Sequence, residues 1–160
     1  MTKLFVSDSQ GRYIPASPEQ IVESARHAVD ELFPVGCALS SPSAAKSFLI
    51  AKLGGLEHEV FGMIFLTTQN QVLAYEEMFR GTIDQSRVYA REVVKAVLHH
   101  NARNVVLTHN HPSGINEPSN ADIVLTNCLR DILAGIEVTI LDHIIVAKNS
   151  TYSFAENGLV

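Results

Sequence analysis

The sequence predicts an α/β fold, a single-domain α/β/α sandwich built around a mixed central sheet. Short runs of apolar, strand-forming residues alternate along the chain with segments whose apolar residues recur at helical spacing. The chain has 160 residues, of which 46% are hydrophobic, and this is enough for one substantial core. No internal repeat or low-complexity segment interrupts the pattern.

The first 39 residues are predicted to form an extension before a main domain at residues 40–160. The extension carries a weak strand signal at residues 3–6. Ser17 and Gln20 have the spacing of a capping box, with proline at the first helical position, and they start an amphipathic helix. We expect its apolar stripe to pack on the main domain or on a second copy of the chain, which would make a homo-oligomer.

The main domain begins with a helix that starts at Ser41-Pro42 and ends at Gly54, where glycine stops it. A hairpin of apolar strands follows, and later helices show i, i+3, i+4 periodicity, with Val93, Val97 and Leu98 among the residues expected in the core. The predicted order is helix 41–53, strands 56–66 and 71–79, helix 87–101, strand 105–108, helix 121–134, strands 138–141 and 144–147, and edge strand 152–154.

Two histidines follow the strand predicted at residues 105–108. His109 and His111 are spaced i and i+2, so their side chains point to one side of an extended backbone. A turn leads to a helix that starts at Ser119, and Asp122 lies three residues later on the same helical face. Two imidazoles and a carboxylate suit three of the four tetrahedral positions of zinc, and the open fourth position is typical of a catalytic site.

The same residues also have an ordinary structural interpretation. Ser119 and Asp122 form a helix-start pattern, a serine cap with an acidic residue in the first turn, and H-x-H alone is a weak signal. The whole pattern H-x-H-x7-S-x2-D is stronger, because this chain's own residue frequencies give it by chance in roughly one of a thousand such sequences. The combination therefore favours a metal site.

These four residues match the signature of the JAMM (MPN-type) zinc metallopeptidases, which the chain resembles from about residue 40 to its C-terminus. The segment HNHPSG, the GTID before it and the LDHIIV after it resemble the bacterial RadC-like branch. The resemblance implies a JAMM/MPN fold with a cytidine-deaminase-like layout and Zn²⁺ held by His109, His111 and Asp122. Such a zinc ion lowers the pKa of its bound water to about 7.

Amide hydrolysis also needs a group that takes the water proton and returns it to the leaving amine. Glu59 stands just before an apolar strand, in a segment that resembles the one bearing the family's catalytic glutamate, and it is the first choice over a merely solvated residue. Glu57 is the substitute, by i, i+2 spacing on the strand, whereas Glu92 beside Arg91 fits an exposed ion pair. The resemblance implies that the Ser119 hydroxyl stabilises the oxyanion, which is compatible with capping.

Other polar residues give less specific signals. Asp142 and His143 are expected to support the metal ligands or contact substrate, and the alternative is that His143 is a satisfied histidine at a strand junction. Asn110 and Ser113 are expected to shape the motif loop through side-chain to backbone bonds. Histidines without ligand spacing are predicted on the surface, and cysteines without a CxxC pattern are predicted to be reduced core thiols: His27, His58, His99, His100, Cys37 and Cys128.

The leading functional prediction is a zinc-dependent metallohydrolase that cleaves an amide bond of a peptide or protein. The alternatives are a catalytically silent MPN-type binding scaffold and an accessory DNA repair or recombination protein, which only the RadC name suggests. A net charge of −5 with scattered basic residues counts against nucleic-acid binding, and the zinc-deaminase signature is absent. Without a signal-peptide h-region or an apolar run of membrane-spanning length, we expect a cytoplasmic protein and no membrane partner.

Overall fold

A computed structural model describes residues 3–32, 34–39, 41–81 and 88–160. Five strands form one sheet in the order β4-β3-β5-β6-β7, in which β5 and β6 are parallel and the other neighbours are antiparallel. This confirms the predicted α/β fold with a mixed sheet. The elements are β1 (Phe5–Ser7), β2 (Tyr13–Pro15), α1 (Pro18–Leu32), α2 (Pro42–Leu53), β3 (Val60–Leu66), β4 (Val72–Arg80), α3 (Ala90–His99), β5 (Asn104–Asn110), α4 (Asn120–Ala134), β6 (Thr139–Ala147) and β7 (Ser150–Ser153).

Helices cover both faces of the sheet because successive strand residues point to opposite sides. On β3, Phe61 and Phe65 join a core cluster with residues of α3 and α4, whereas Val60 and Ile64 join a second cluster with residues of α2. Every residue of β3 is buried, as expected for a central strand with helices on both sides. The result is the predicted three-layer sandwich.

The parallel pair β5 and β6 is joined by α4, since parallel neighbours need a crossover connection. The crossover brings the N-terminus of α4 next to the carboxyl end of β5. In α/β sheets, this edge is where ligands usually bind, because the loops after the strands open a crevice there. The predicted motif residues occupy this edge.

The N-terminal residues form a two-stranded sheet, β1 with β2, followed by α1. The predicted capping box is present, because Ser17 Oγ accepts from the Gln20 N–H at 3.2 Å and Gln20 Oε1 accepts from the Ser17 N–H at 2.9 Å. Helix α1 packs against α2, with Val29 reaching the core cluster. The boundary near residue 39 and the homo-oligomer stay predictions. None of the described helices is long and apolar enough to cross a membrane.

The structure corrects several predicted elements. Strand β6 is continuous where two strands were predicted, because the polar pair Asp142 and His143 is buried inside the strand rather than exposed at a junction. Strand β2 was not predicted at all. Helix α3 is shorter than the predicted helix, and Leu98 is 62% exposed because Val93 and Val97 define the face toward the sheet. Residues 82–84 of the GTID segment and the predicted helix start at residue 87 lie outside the described residues.

Three predictions about histidine and cysteine burial also change. Cys128 is an exposed thiol on α4, because the buried positions of that helix are 122, 126, 129 and 133, and Cys37 is only half-buried. His100 is not a free surface residue, since its Nε2 lies 2.7 Å from Glu76 Oε1 and its side chain is 17% exposed. His27, His58 and His99 are exposed, as predicted.

Candidate metal centre

His109 and His111 meet at the carboxyl end of β5. His109 is fully buried on the α4 side of the strand, in the same alternation as Val105 and Leu107. His111 follows the strand, and its backbone N–H donates to the Val146 carbonyl at 2.8 Å, which continues the extended direction. The two Nε2 atoms are 2.9 Å apart. The i, i+2 spacing therefore places both rings on one side, as the sequence predicts.

The surroundings of His111 determine which ring nitrogen carries its proton. Its Nδ1 lies 2.6 Å from the Ile115 carbonyl oxygen, which can only accept, so the Nδ1–H donates. In the neutral ring, Nε2 therefore carries a lone pair directed at His109. The nearby Asp122 carboxylate raises the pKa of His111, although partial burial opposes this rise. The Ile115 carbonyl thus holds the His111 ring so that its Nε2 lone pair can bind a proton or a metal.

Asp122 reaches the same point from the first turn of α4. Its Oδ1 lies 3.3 Å from His109 Nε2 and its Oδ2 lies 3.7 Å from His111 Nε2, and the carboxylate is fully buried. Burial by itself raises the pKa of Asp122, but the nearby imidazoles of His109 and His111 outweigh it and hold that pKa well below its usual range. The carboxylate therefore stays ionised inside the site.

Ser119 caps α4 and orients Asp122. The Ser119 N–H and hydroxyl each donate to Asp122 Oδ2 at 2.7 Å, and Ser119 Oγ accepts from the Asp122 N–H at 3.2 Å. The predicted capping interpretation is therefore correct for this pair. Because both donors go to Oδ2, Asp122 Oδ1 is buried without a hydrogen bond from any described residue. Such an oxygen is costly unless it meets a cation.

Glu59 lies beside the two histidines. Three ligand atoms lie within 4.8 Å of one another, one from each of Glu59, His109 and His111. The reason is strand register: β3 pairs Phe61 with His109 in antiparallel fashion, so two residues further along Glu59 comes opposite His111. Glu59 is half-buried just before the strand, and its carbonyl accepts from the Gly81 N–H at 2.9 Å. The sequence-predicted glutamate is therefore in reach of the site.

The other two glutamates are placed differently. Glu57 is exposed and lies before β3 begins, so the same-face argument that made it a substitute for Glu59 does not apply. It lines a cleft next to His111 instead. Glu92 is in an exposed ion pair as predicted, but its partner is Lys95 at 2.7 Å rather than Arg91, because residues three apart share a helix face.

Asn110, between the two histidines, points to the opposite side of β5. Its Oδ1 accepts from the Val60 N–H at 2.7 Å, and its Nδ2 donates to the His58 carbonyl at 3.0 Å. These two bonds tie the backbone on both sides of Glu59 to the strand that carries the histidines. Ser113 Oγ accepts from the Ile115 N–H at 3.3 Å. Ser113 therefore shapes the motif loop as predicted, whereas the prediction for Asn110 is wrong, because its backbone bonds go to the entrance of β3 and not to the loop.

Behind His109 lies a buried row of polar side chains that sequence reasoning only partly found. His109 Nδ1 is 2.8 Å from His143 Nε2, and His143 Nδ1 is 2.6 Å from Thr126 Oγ1. Thr126 Oγ1 in turn bonds the Asp122 carbonyl at 2.6 Å. Burial lowers the pKa of His143 well below its ordinary value. Thr126 was missed; the available signal was its position four residues after Asp122 on one helix face.

Asp142 and His143 separate into two roles because adjacent strand residues face opposite sides. Asp142 accepts from the Ser153 hydroxyl at 2.6 Å and from the Ala155 N–H at 3.0 Å, so its carboxylate holds the C-terminal turn. His143 is the member of the pair that contacts a motif histidine. His143 is satisfied inside β6 rather than at a strand junction, and its predicted support of a metal ligand stays a prediction.

The residues present suit a divalent metal. The lone pair of His111 faces the other imidazole at 2.9 Å, where two rings repel each other unless a proton or a cation lies between them. Asp122 contributes a buried oxygen that no described hydrogen-bond donor satisfies. Imidazole nitrogen and carboxylate oxygen together are ligands typical of zinc and similar first-row metals. A cation at this point satisfies all three groups at once.

Comparisons with known proteins identify the family of the chain. A family model described as the RadC-like JAB domain matches residues 39–159. A UPF0758 protein of Nitrosospira multiformis is 47% identical over 169 residues, covering 100% of this chain and 75% of that protein. UPF0758 proteins of Thiobacillus denitrificans and Paracidovorax citrulli are 49% and 50% identical over 140 residues, which cover 88% of this chain and 62% and 59% of the relatives.

The chain spans 59% to 75% of the length of these three relatives, whose names state no activity. The matched region contains the whole five-stranded sheet and every residue of the candidate metal centre. The chain therefore belongs to the RadC-like JAB domain family, the branch of the JAMM/MPN proteins that its motif indicated.

Proposed function

We propose that this domain is a zinc-dependent metallohydrolase that cleaves a peptide or isopeptide bond in a peptide or protein substrate. The observation that supports it best is the convergence of His109 Nε2, His111 Nε2 and the unsatisfied Asp122 Oδ1, with Glu59 at the edge of the group. A scaffold that has lost its chemistry has no need of a buried oxygen without a hydrogen bond.

In this proposal, His109, His111 and Asp122 hold the zinc ion, and Glu59 moves the proton. Bound zinc supplies a Lewis acid that polarises the scissile carbonyl and lowers the pKa of water to about 7. The Glu59 carboxylate takes one proton from the attacking water as its oxygen adds to the carbonyl carbon. As the C–N bond breaks, Glu59 returns this proton to the leaving amine, so it ends as it began.

Ser119 has a second task in the proposed reaction. Its hydroxyl proton points to Asp122 Oδ2 at 2.7 Å, and the Ser119 backbone N–H bonds the same oxygen at 2.7 Å. Because the backbone bond alone can keep Asp122 in place, the hydroxyl is able to turn toward a developing oxyanion without releasing the carboxylate. Capping and oxyanion stabilisation are therefore compatible in one residue.

A cleft of about 340 Å³ beside His111 offers a place for the substrate chain. Its walls include the apolar side chains of Leu56 and Pro112 and the oppositely charged side chains of Glu57 and Lys148. This mixture suits an extended peptide, whose backbone is polar and whose side chains differ in character. Of the residues proposed for the site, His111 lines this cleft, and we propose that a peptide bound there extends past His111 toward the metal.

The experiment that tests the proposal starts with metal content. The chain is purified without chelator or metal-binding tag, and elemental analysis is expected to find about one zinc per chain. Glu59→Gln is expected to retain the zinc and to lose hydrolysis of a mixed library of peptides and isopeptide-linked peptides by roughly 10²- to 10⁴-fold.

Glu92→Gln is the matched control, because Glu92 is exposed on α3 and paired with Lys95 outside the site. It should hydrolyse the library at the wild-type rate. Unchanged hydrolysis in Glu59→Gln would show that another group is the base. A wild-type chain that stays empty after zinc is offered would favour the scaffold instead.

A further inference from the structure

We propose that His143 and Thr126 fix the tautomer of His109 and so present its Nε2 lone pair to the metal. They are positioning residues, since they touch the ligand ring and not the metal. The inference rests on the ligand role proposed for His109, and it goes further by naming the residues that make this ring a ligand. It follows from three hydrogen bonds whose directions are determined one after another.

The first bond starts from a group that cannot donate. Thr126 Oγ1 lies 2.6 Å from the main-chain carbonyl oxygen of Asp122, one helical turn earlier on α4. A carbonyl oxygen only accepts, so the single hydroxyl proton of Thr126 points to it. The hydroxyl is thereby left with lone pairs alone for any other partner. This carbonyl therefore determines which atom donates and which accepts in the hydrogen bonds beyond Thr126.

The second bond determines which nitrogen of His143 carries the proton. Thr126 Oγ1 also lies 2.6 Å from His143 Nδ1, and because its proton is already used, Nδ1–H must be the donor. The His143 ring is fully buried, stacked on Phe154 at 4.7 Å and edge-on to Phe61 at 6.1 Å. These apolar neighbours disfavour a second proton on the ring. His143 Nε2 is therefore an acceptor.

The third bond reaches His109. His143 Nε2 lies 2.8 Å from His109 Nδ1, so His109 donates its Nδ1–H to it. The remaining nitrogen, His109 Nε2, carries the lone pair, 2.9 Å from His111 Nε2 and 3.3 Å from Asp122 Oδ1. Asp122 thus has two roles. Its side-chain carboxylate is proposed to bind the metal, and its main-chain carbonyl sets the direction of all three hydrogen bonds.

Without the Thr126 hydroxyl, the opposite arrangement becomes favourable. His143 then has no acceptor for Nδ1–H, and moving its proton to Nε2 makes His143 the donor to His109 Nδ1. The His109 proton then moves to Nε2 and points at Asp122 Oδ1, the buried oxygen that otherwise lacks a hydrogen bond. This tautomer satisfies the metal-free site but cannot bind a metal through Nε2. The hydroxyl therefore determines which tautomer the empty site adopts.

The test measures the tautomer and the metal affinity separately, on the full chain. In ¹⁵N-histidine-labelled metal-free protein, long-range ¹H–¹⁵N spectra should show His109 protonated at Nδ1. Thr126→Val keeps the shape of the side chain without the hydroxyl, and we expect it to shift His109 toward the Nε2-protonated form. Thr126→Ser keeps the hydroxyl and should retain the wild-type tautomer. Titration with zinc alone should give a Kd raised roughly 10- to 100-fold in Thr126→Val but not in Thr126→Ser.

His143→Phe removes the acceptor itself and should abolish the tautomer preference of His109. If His143→Phe does not fold, Thr126→Val tests the same idea. An Nε2-protonated His109 in the wild-type protein would overturn the inference, as would an unchanged tautomer in Thr126→Val. Equal losses of zinc affinity in Thr126→Val and Thr126→Ser would also overturn it. Tautomers that change as described in a wild-type chain that binds no zinc would support the inference and reject the metallohydrolase.

Discussion

His109 and His111 direct the same atom to the same point but belong to two different regions. The His109 ring is fully buried between the sheet and α4, and its Nδ1 bonds another side chain, His143. The His111 ring is 16% exposed at the start of the loop after β5, and its Nδ1 bonds the main-chain carbonyl of Ile115 directly. The orientation of the His109 ring is set by packed side chains, and that of the His111 ring by the path of the backbone.

The difference shows two ways to fix a histidine tautomer. A loop can bring its own carbonyl to the ring, so His111 needs one bond, and substitutions affect it mainly when they alter the loop backbone. His109 Nδ1 instead bonds the side chain of His143, and the direction of that hydrogen bond is set from Asp122 through Thr126. We therefore expect the buried His109 ring to be sensitive to side-chain substitutions that leave the backbone unchanged.

Removing each of the two histidine rings gives the largest expected effect and separates the two regions. His109→Ala and His111→Ala should both reduce zinc from about one per chain to a small fraction, since a two-ligand remnant binds weakly. Their metal-free stabilities should differ. His109→Ala leaves His143 Nε2 buried without its donor and should lower the free energy of unfolding by about 1–3 kcal/mol. His111→Ala should stay within about 0.5 kcal/mol of the wild type.

Elemental analysis gives the zinc content, and urea unfolding of chelator-treated protein gives the stabilities. Both variants relieve the crowding at the shared point, so the difference between them reports the buried contacts behind His109. Equal stabilities would mean that the contact between His109 and His143 contributes nothing to folding, and the comparison between the two regions would lose its energetic basis.

Most of the fold was predictable because its signals are local. The caps at Ser17, Ser41 and Ser119, and the apolar runs of the central strands, follow from neighbouring residues in sequence. The errors have a common origin in tertiary context. Strand β6 was split because buried polar residues look like a junction in sequence, and the exposure of Leu98 depends on which face of α3 meets the sheet.

The site was predictable to the extent that its parts are close in sequence. The i, i+2 histidines and the Ser119 and Asp122 pair have fixed local geometry, so their spacing alone indicated their arrangement. Glu59 required the pairing register of β3 with β5, which resemblance to the family supplied in place of geometry. Thr126 was not predicted, because its role exists only when β6 places His143 beside α4.

Asn110 links the two regions to Glu59, and its truncation should have an intermediate effect. Asn110→Ala leaves the buried Val60 N–H without its acceptor and should lower the free energy of unfolding by about 1–3 kcal/mol. Because this residue ties the backbone around Glu59 to β5, hydrolysis should fall by up to about a hundredfold in protein that still binds zinc. On one preparation, urea unfolding measures the stability, elemental analysis the zinc content and a peptide assay the rate of hydrolysis.

The control for this change is Asn104→Ala at the other end of β5, where the side chain bonds Asn70 at 2.8 Å and the Thr67 carbonyl at 3.3 Å. It removes comparable hydrogen bonds far from the site, so stability should fall while hydrolysis by folded protein is unchanged. If both variants lost hydrolysis to the same degree, the tie between Asn110 and Glu59 would be a general stability effect.

The smallest expected effect concerns the backbone that holds His111. Gly114 has φ +84°, and a Cβ there would lie 3.2–3.4 Å from the flexible Lys148 side chain, which can move aside. The cost of Gly114→Ala is therefore mainly the left-handed backbone, about 1 kcal/mol. If the loop relieves this strain by moving the Ile115 carbonyl, zinc affinity should fall by at most about fivefold.

Gly36→Ala is the matched control, with φ +90° and open space around the new Cβ, far from the site. It should show a similar loss of stability in urea with an unchanged zinc Kd, because Gly36 lies outside the loop whose Ile115 carbonyl bonds His111. An unchanged Kd in both variants would mean that His111 keeps its tautomer without a fixed loop.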